Sequence, residues 1–529
     1  MKSKRTLLNS AACSLAALMC FSMPTFAQDK SVTLLSSDGS LKVEGDLVDF
    51  VDGLYVVRTV LGDIRISEAR VQCSGPGCPS DQVDTDVTFR IAGSDTLGDQ
   101  LLPLIVTGYA AEQGGEAQLI TGNSDGQVIA ERVADGGFGD EIGSIMIEST
   151  SAADSFDALA EQSAEIGMSS RRITRDEARA LRDAGAGSMV SINSERVVAV
   201  DSIVIITHPS NPVDTVSLEQ LAGIYGGRIT NWSELGGPDA PIKAYARNEG
   251  SGTRSEFNLG VFGTINVDTP ADLTIVPGNT EMAAAVNSDE TAIGYVGYAF
   301  QRGAKPLSVA NSCGITTPPN AFAAKTEEYP LNRRLYLYSR QDNLSEDASN
   351  FLDFAISEGA DGVVAKSGFI NLAVERQEQD VVRDRLATEL SQTADPYERD
   401  LMTRLVGDLD LWDRLSRTFR FASGSSRQDA KAQRDMDRLI NNQRTQPANT
   451  EVAVVGFTDS DGEFESNERL AFGRAESVAQ EIAALAQAEL DNVNFVSKGF
   501  GELAPTACNT TAQGKAINRR VEIWVRNPA

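Results

Sequence analysis

From residue 30 to 82, apolar and polar positions alternate in short runs such as LKVEGDLVDFV, GLYVVRTV and GDIRIS, separated by Asp-Gly and Gly-Asp turns. Successive strand side chains point to opposite faces, so this stretch predicts a small antiparallel β module, with a structural or interaction role and no chemistry to assign. Near Val87 the pattern changes. As far as Asn371, buried apolar runs (VTFRIAG, SIMIES, SIVIITH, PIKAYAR, AIGYVGY) alternate with helical stretches such as SLEQLAGIY. Alternation of that kind predicts an α/β fold with helices covering sheets. Residues 372–414 carry charges at helical spacing (VERQEQDVVRDRLATEL, YERDLMTRLVGDLDLWDRL) and read as a partly helical linker. The remainder, 415–527, runs strand (RTFRF), helix (AQRDMDRLINNQ), strand (EVAVVGFTD), helix (NERLAFGRAESVAQEIAAL) and two strands (VNFVSKGFG, RRVEIWV), a compact α+β domain.

The first 27 residues change the picture of where this chain works. A basic start, an apolar middle and the small-residue end Thr25-Phe26-Ala27 predict a secretory signal cut after Ala27. Acylation at Cys20 is the competing reading, disfavoured by the bulky Met19 before it. No later run approaches the roughly 20 apolar residues of a membrane helix. The formal charge is −28, and loss of Lys2, Lys4 and Arg5 with the signal makes the exported chain more acidic still. Such a surface repels nucleic acid and anionic lipid. Cys73 and Cys78 flank a turn in CSGPGC and are candidates for a small disulfide loop; Cys313 and Cys508 have no obvious partners. His208, in THPSNP, is the only histidine, which argues against a zinc site or a Ser-His-Asp hydrolase, and neither a G-x-S-x-G elbow nor a complete P-loop occurs. No metal, no cofactor and no catalytic residue is expected.

Three strand-to-helix junctions carry candidate chemistry. AGSDTLGDQ offers Ser94, Asp95, Thr96 and Leu97; GMSSRR offers Ser169, Ser170 and Arg171; ARNEGSGTRSEF offers Arg247, Gly250, Ser251, Gly252 and Thr253. Backbone amides and hydroxyls at a helix start can replace the hydration of an anion, and each junction alone is equally well read as ordinary helix capping. Their recurrence within one segment favours an oxyanion site.

These junctions, together with PSNPVDTVSLEQLAGIYGGRITNW, AIGYVGYAF and YPLNRRLYLY in the same order, closely resemble PstS-like periplasmic phosphate-binding proteins of ABC importers over residues 87–372. The resemblance implies a two-lobed type II periplasmic-binding-protein fold joined by crossing strands, closing over phosphate without catalysis. By position it implies Ser94, Thr96, the Leu97 backbone, Ser170, Arg247, Ser251, Gly252 and Thr253 as phosphate-binding residues, with Glu249 pairing with Arg247. A further serine loop falls near Ser151–Ser155, where Ala152, Ala153 and Asp154 replace the usual glycines and serines. Ser170 stands where some relatives have an aspartate that accepts phosphate's proton; a serine discriminates less, so sulfate-like oxyanions stay open, and Arg171 is a further candidate cation.

In GFTDSDGEFESNERLAFGRAESV, Asp459 ends a strand, and Asn467, Leu470, Ala471, Arg474 and Val478 follow one face of the next helix. The acid and the arginine can clasp a zwitterion, or form an ordinary surface salt bridge. The segment 415–527, with the closing NRRVEIWV, resembles OmpA-like peptidoglycan-binding domains. That implies binding of the diaminopimelate of the stem peptide by Asp459 and Arg474, supported by Asn467, with Thr458, Arg519 and Arg520 nearby. The expected organisation is therefore multidomain α/β and α+β: signal peptide 1–27, β module 28–83, phosphate-binding domain 84–376, linker 377–414 and OmpA-like domain 415–529. The expected role is capture of phosphate or a similar oxyanion at the periplasmic cell wall, with an ABC permease as a candidate partner and service to an importer left open. The alternative is an envelope scaffold that keeps the fold without a ligand; a periplasmic phosphatase ranks third, lacking metal ligands and a nucleophile–base pair.

Overall fold

The computed structural model describes residues 30–36, 42–51, 54–60, 62–67, 71–75 and 87–526, apart from 264–272, 379–385, 388–389, 391–394, 422–429, 448 and 491–492. The signal segment and Cys78 lie outside the described residues. The chain divides between residues 83 and 84 into two compact units.

In the first unit, β1 (Ser31–Ser36), β2 (Lys42–Val51), β3 (Leu54–Thr59), β4 (Gly62–Ser67) and β5 (Val71–Ser74) form one sheet in the order β4-β3-β2-β1-β5. Every neighbouring pair is antiparallel. The period of two places Val32, Leu34, Tyr55, Val57 and Val71 on one buried face. Cys73, on β5, is disulfide-bonded.

The second unit opens with β6 (Phe89–Ser94), β7 (Glu116–Thr121), β8 (Gln127–Val133), β9 (Glu141–Thr150) and β10 (Ile166–Ser169), which build a first lobe. After β11 (Glu195–Thr207) come β12 (Thr215–Ser217), β13 (Lys243–Arg247), β14 (Thr274–Val276), β15 (Ala292–Gly297), β16 (Lys305–Pro306), β17 (Ser308–Ala310) and β18 (Thr316–Thr317) of a second lobe, then β19 (Asn332–Ser339). The main sheet path runs β14-β13-β15-β11-β19-β10-β6-β9-β8-β7. All 13 residues of β11 are buried. Its first part pairs with β19, from Glu195↔Tyr338 to Ser202↔Asn332, and its last part with β15, from Ile203↔Gly297 to Thr207↔Ile293. Because β19 also pairs with β10, β11 and β19 are the two strands that cross between lobes.

Helix Leu101–Glu112 turns Leu101, Leu102, Ile105, Val106 and Tyr109 onto Phe89, Ile91 and Ile147 of the first lobe. In the second, Tyr225, Trp232, Phe257 and Tyr295 share a core, with the Phe257 and Tyr295 rings stacked at 4.1 Å. Burying each such side chain stabilises the fold by about 1.5–3 kcal/mol. These cores fix the loops at the strand ends, where the site lies.

β20 (Arg376–Gln377), β21 (Asp413–Arg420), β22 (Glu451–Gly456), β23 (Asn494–Gly499) and β24 (Arg520–Arg526) form a separate sheet, β20-β21-β24-β22-β23. Helices Ala430–Arg444 and Phe464–Ala486 cover one face through Met436, Leu439, Ala475, Val478 and Ile482. The other face is covered by helix Pro396–Leu409, whose Leu401, Met402, Leu405 and Leu409 meet Ala453, Val455 and Trp524. Much of the stretch read as a linker is therefore core of this domain. Asp395 caps that helix and Pro396 starts it, where a missing N–H costs nothing.

This domain rests directly on the two lobes. Arg414 Nη2 meets Glu328 Oε1 at 2.6 Å, Arg438 Nη1 meets Asp361 Oδ2 at 2.5 Å, and Arg434 donates to the carbonyls of Ile192 and Glu195. A disulfide joins Cys313 to Cys508 with the Cα atoms 5.4 Å apart. The two cysteines left without partners by the sequence thus pair with each other across 195 residues.

Candidate functional site

The crossing strands bring loops from both lobes together. From the first lobe come Ser94, Asp95, Thr96 and Leu97 at the end of β6, and Ser170 after β10; from the second come Arg247 at the end of β13 and Ser251, Gly252 and Thr253 at the start of helix Gly252–Phe262. All but Asp95 are nearly or fully buried. Ser94 Oγ donates to Ser170 Oγ at 2.9 Å, and the Thr96 and Thr253 hydroxyl oxygens lie 3.4 Å apart across the lobes. A Cβ on Gly252 would stand 2.3 Å from Ser170 Oγ, so only glycine permits this approach. The Leu97 side chain belongs to the lobe core, which leaves only its main chain to the site.

Arg247 anchors the cluster at 2% exposure. Its Nε donates to the Pro277 carbonyl at 3.1 Å and its Nη2 to Asp95 Oδ2 at 2.6 Å, whereas Nη1 is buried without a hydrogen-bond partner. Glu249, which the resemblance assigns as the partner of this arginine, is instead exposed. Asp95 takes that place because it comes from the facing lobe, where a carboxylate meets the guanidinium head-on, while Glu249 sits on the turn leading into the helix. The Asp95 Oδ1 atom also accepts the Thr96 amide at 2.8 Å. Arg171 is not part of the cluster: both its terminal nitrogens hold Glu177, at 2.9 and 2.5 Å, and its guanidinium lies over Phe156.

Ser251 is the N-cap of its helix, accepting the Arg254 amide at 3.4 Å, so the capping reading holds for that acceptor position. The first amides of a helix have no intrahelical partner, which makes this helix start, beside Arg247 in the chain, a place where donors gather. Near Ser151–Ser155 the wall is apolar at Ala152, whose methyl group faces Gly252.

Residues not singled out by the sequence complete the shell. Asn279 Nδ2 donates to Thr96 Oγ1 at 3.3 Å. Arg333 Nη1 donates to Thr253 Oγ1 at 2.7 Å, while its Nε and Nη2 hold the buried Asp201. Asp201 also accepts the amides of Ser202 and Tyr298, which satisfies its charge without water. Tyr295 takes the Arg247 amide on its hydroxyl oxygen, and burial pushes its phenol up to about 12 against that bond and the Arg254 charge. At the rim, burial and then the Asp95 charge raise the Asp99 carboxyl. Arg247 and Arg333 are each paired with a carboxylate, and the buried Arg254 donates to the Arg247 carbonyl, so what the cluster offers an anion is oriented dipoles and Arg247 Nη1.

The second candidate cluster is in the C-terminal domain. Asp459 Oδ2 pairs with Arg519 Nη1 at 2.6 Å, and Asn467 Nδ2 donates to the Asp459 carbonyl and to Glu502 Oε2. Arg474 is 6% exposed, its guanidinium lies 5.3 Å from the Phe421 ring centre, and its Nε and Nη1 have no partner. Burial, then the Arg519 charge, lowers the Arg474 pKa, with Asp459 opposing. The acid and the arginine therefore lie in one neighbourhood without a direct salt bridge between them, since Arg519 has taken the carboxylate. Arg520, next to Arg519, pairs its backbone with Phe457 close by, while its side chain is buried against Glu522. His208 stands on an exposed turn with Ser210 and takes no part in either cluster. Among the described residues no group of His, Cys, Asp and Glu suits a metal ion, and no helix is long and apolar enough to cross a membrane.

Two lobes, two crossing strands and a donor-lined cluster between them define a substrate-binding-protein architecture. The chain belongs to the PBP superfamily, whose domain model matches residues 84–359, and it carries an OmpA family domain matched over residues 420–519. It is 28% identical over 218 residues to the phosphate-binding protein PstS of Borreliella burgdorferi, an alignment covering 39% of this chain and 72% of that one. It is also 28% identical to protein SphX of Synechococcus elongatus, covering 39% of this chain and 63% of that protein, so it spans less than two thirds of this relative. A solved phosphate ABC transporter substrate-binding protein with bound phosphate, from Clostridium perfringens, matches at 27% identity over 54% of this chain and 98% of that one, with a TM-score of 0.42.

Proposed function

We propose that residues 84–376 capture inorganic phosphate between the two lobes, and that residues 415–529 hold the protein to peptidoglycan through diaminopimelate. The observation that carries the first half is Arg247 Nη1, a buried guanidinium nitrogen without a partner, on an arginine that pairs with Asp95 beside Thr96, whose hydroxyl meets that of Thr253 from the other lobe. A buried charged donor left unmade costs several kcal/mol less when an anion meets it, and a tetrahedral oxyanion matches donors that converge from several directions. The PstS name of one relative supports phosphate over other oxyanions. The protein acts as a receptor in the periplasm and is not an enzyme; its captured phosphate passes to an ABC permease. For the second half, the support is the pair of unpartnered Arg474 nitrogens beside Asp459, groups suited to the carboxylate and ammonium ends of one zwitterion.

Both halves are tested on the full chain. Equilibrium dialysis with labelled phosphate should show saturable binding, with competition by sulfate reading the selectivity; no retention at millimolar phosphate favours a scaffold without ligand. In a pull-down on purified sacculi, wild type should be retained and Asp459→Ala and Arg474→Ala lost to the supernatant. Equal retention of all three rules out the clasp.

A further inference from the structure

The site's hydroxyls are ambiguous as chemistry, because a threonine can donate or accept. Which it does decides whether the cluster holds an anion or repels it. Two residues outside the proposed ligand set bear on this. The Asn279 amide is oriented by Gly297, whose N–H approaches its Oδ1 at 3.4 Å; that N–H can only donate, so the Nδ2 end faces Thr96 Oγ1. Arg333 is clamped on Asp201 through Nε and Nη2, which aims Nη1 at Thr253 Oγ1. A guanidinium has no acceptor, so Thr253 must accept there. The Ser251 oxygen likewise accepts the Arg254 amide. In each case a fixed donor fills an acceptor position, which leaves the single hydroxyl proton for another acceptor; the long 3.4 Å Thr96–Thr253 contact is the one competing use of it that the site offers among the described residues.

Resting on the phosphate reading above, we propose that Asn279 and Arg333 are positioning residues that set the hydroxyls of Thr96 and Thr253 as donors toward the oxyanion. Neither touches the anion. Arg333 and Asp201 sit on the crossing strands β19 and β11, so the polarity of the cradle is fixed by the element that joins the lobes. It also gives a role to the ion pair that these strands bury at 4% and 1% exposure.

The test is a double-mutant cycle read by phosphate titration of the full chain, with melting curves to verify folding. Asn279→Asp keeps an oxygen for the Gly297 amide but replaces the donor to Thr96 with an acceptor, which draws the threonine proton backward. It should weaken phosphate binding by at least about tenfold in the wild-type background and by less than about threefold in Thr96→Val, where there is no proton to turn. An equal loss in both backgrounds means charge repulsion alone and overturns the proposal, as does no loss in the first. A second cycle, Arg333→Lys with Thr253→Val, keeps the charge on Asp201 while removing the fork; its loss should also shrink when the threonine is absent, and an undiminished loss contradicts the proposal even if Asn279→Asp does not fold. If the unmodified chain binds no phosphate, the functional reading and this inference both fail; if it binds and the cycles are additive, only the inference does.

Discussion

Arg247→Lys separates charge from geometry at the centre of the site. The native guanidinium divides three tasks among three nitrogens: Nε on the Pro277 carbonyl, Nη2 on Asp95 and Nη1 unshared. A lysine ammonium keeps the positive charge but is a single point on a flexible stem, and Asp95, with its oxygen 2.6 Å from Nη2, will capture it. The anion then loses one charge-assisted hydrogen bond while the long-range field barely changes. Such a bond is worth about 1.5–3 kcal/mol, which corresponds to roughly 10- to 150-fold in Kd. Isothermal titration of the full chain with phosphate near pH 7.5 reads this directly. Arg171→Lys is the control, since that arginine is committed to Glu177 and should leave affinity within about twofold. If Arg247→Lys binds phosphate within about threefold of wild type, the unshared nitrogen is not a ligand and the reasoning is wrong.

Gly252→Ala should weaken phosphate binding more than about tenfold without lowering the melting temperature, because its Cβ would meet Ser170 Oγ at 2.3 Å and the Ala152 methyl at 2.8 Å only when the lobes are together. Calorimetry of Cys313→Ser/Cys508→Ser should show a loss of stability of up to about 5 kcal/mol, the loop-closure value for a 195-residue separation; no change in the transition would mean that the noncovalent contacts alone hold the domains together. Glu327, between the domains, titrates in a definite direction: burial would raise its carboxyl, but Arg334, Lys431 and Arg420 outweigh that and hold it well below the usual range. Its contribution is therefore present above the unfolded-state value near 4.5 and disappears as pH falls below it, so Glu327→Gln should flatten the decline in melting temperature between about pH 5 and 3. An unaltered acid limb in that variant would contradict the assignment.

The layered fold was legible because its signals are local. Buried runs such as SIVIITH and helix starts such as SGTRSEF state their structure within a few residues, and the loops they end in supplied Thr96, Arg247 and Ser251. What was hidden depends on distance along the chain. Asp95 meets Arg247 from 152 residues away, whereas Glu249 is two residues off and was the natural candidate by position. Nothing local pairs Cys313 with Cys508. Arg333 left a faint trace, a charge just ahead of the apolar run LYLY, where a buried ion pair on a crossing strand is the physical explanation. Charge density likewise hid that helix Pro396–Leu409, read as part of a linker, is core, although Leu401, Leu405 and Leu409 repeat at four-residue steps along its buried face. In the C-terminal cluster the fifteen-residue spacing brought Asp459 and Arg474 into one neighbourhood, but the strand-end Arg519 claimed the carboxylate.

The account turns on whether donors from two lobes and one guanidinium nitrogen share a single tetrahedral guest. A crystal structure of the full chain grown in saturating phosphate examines this most directly. It should show a phosphate within about 3 Å of Arg247 Nη1 and of the hydroxyls of Thr96, Ser251 and Thr253. Phosphate bound elsewhere, with those four groups contacting only protein or water, would contradict it.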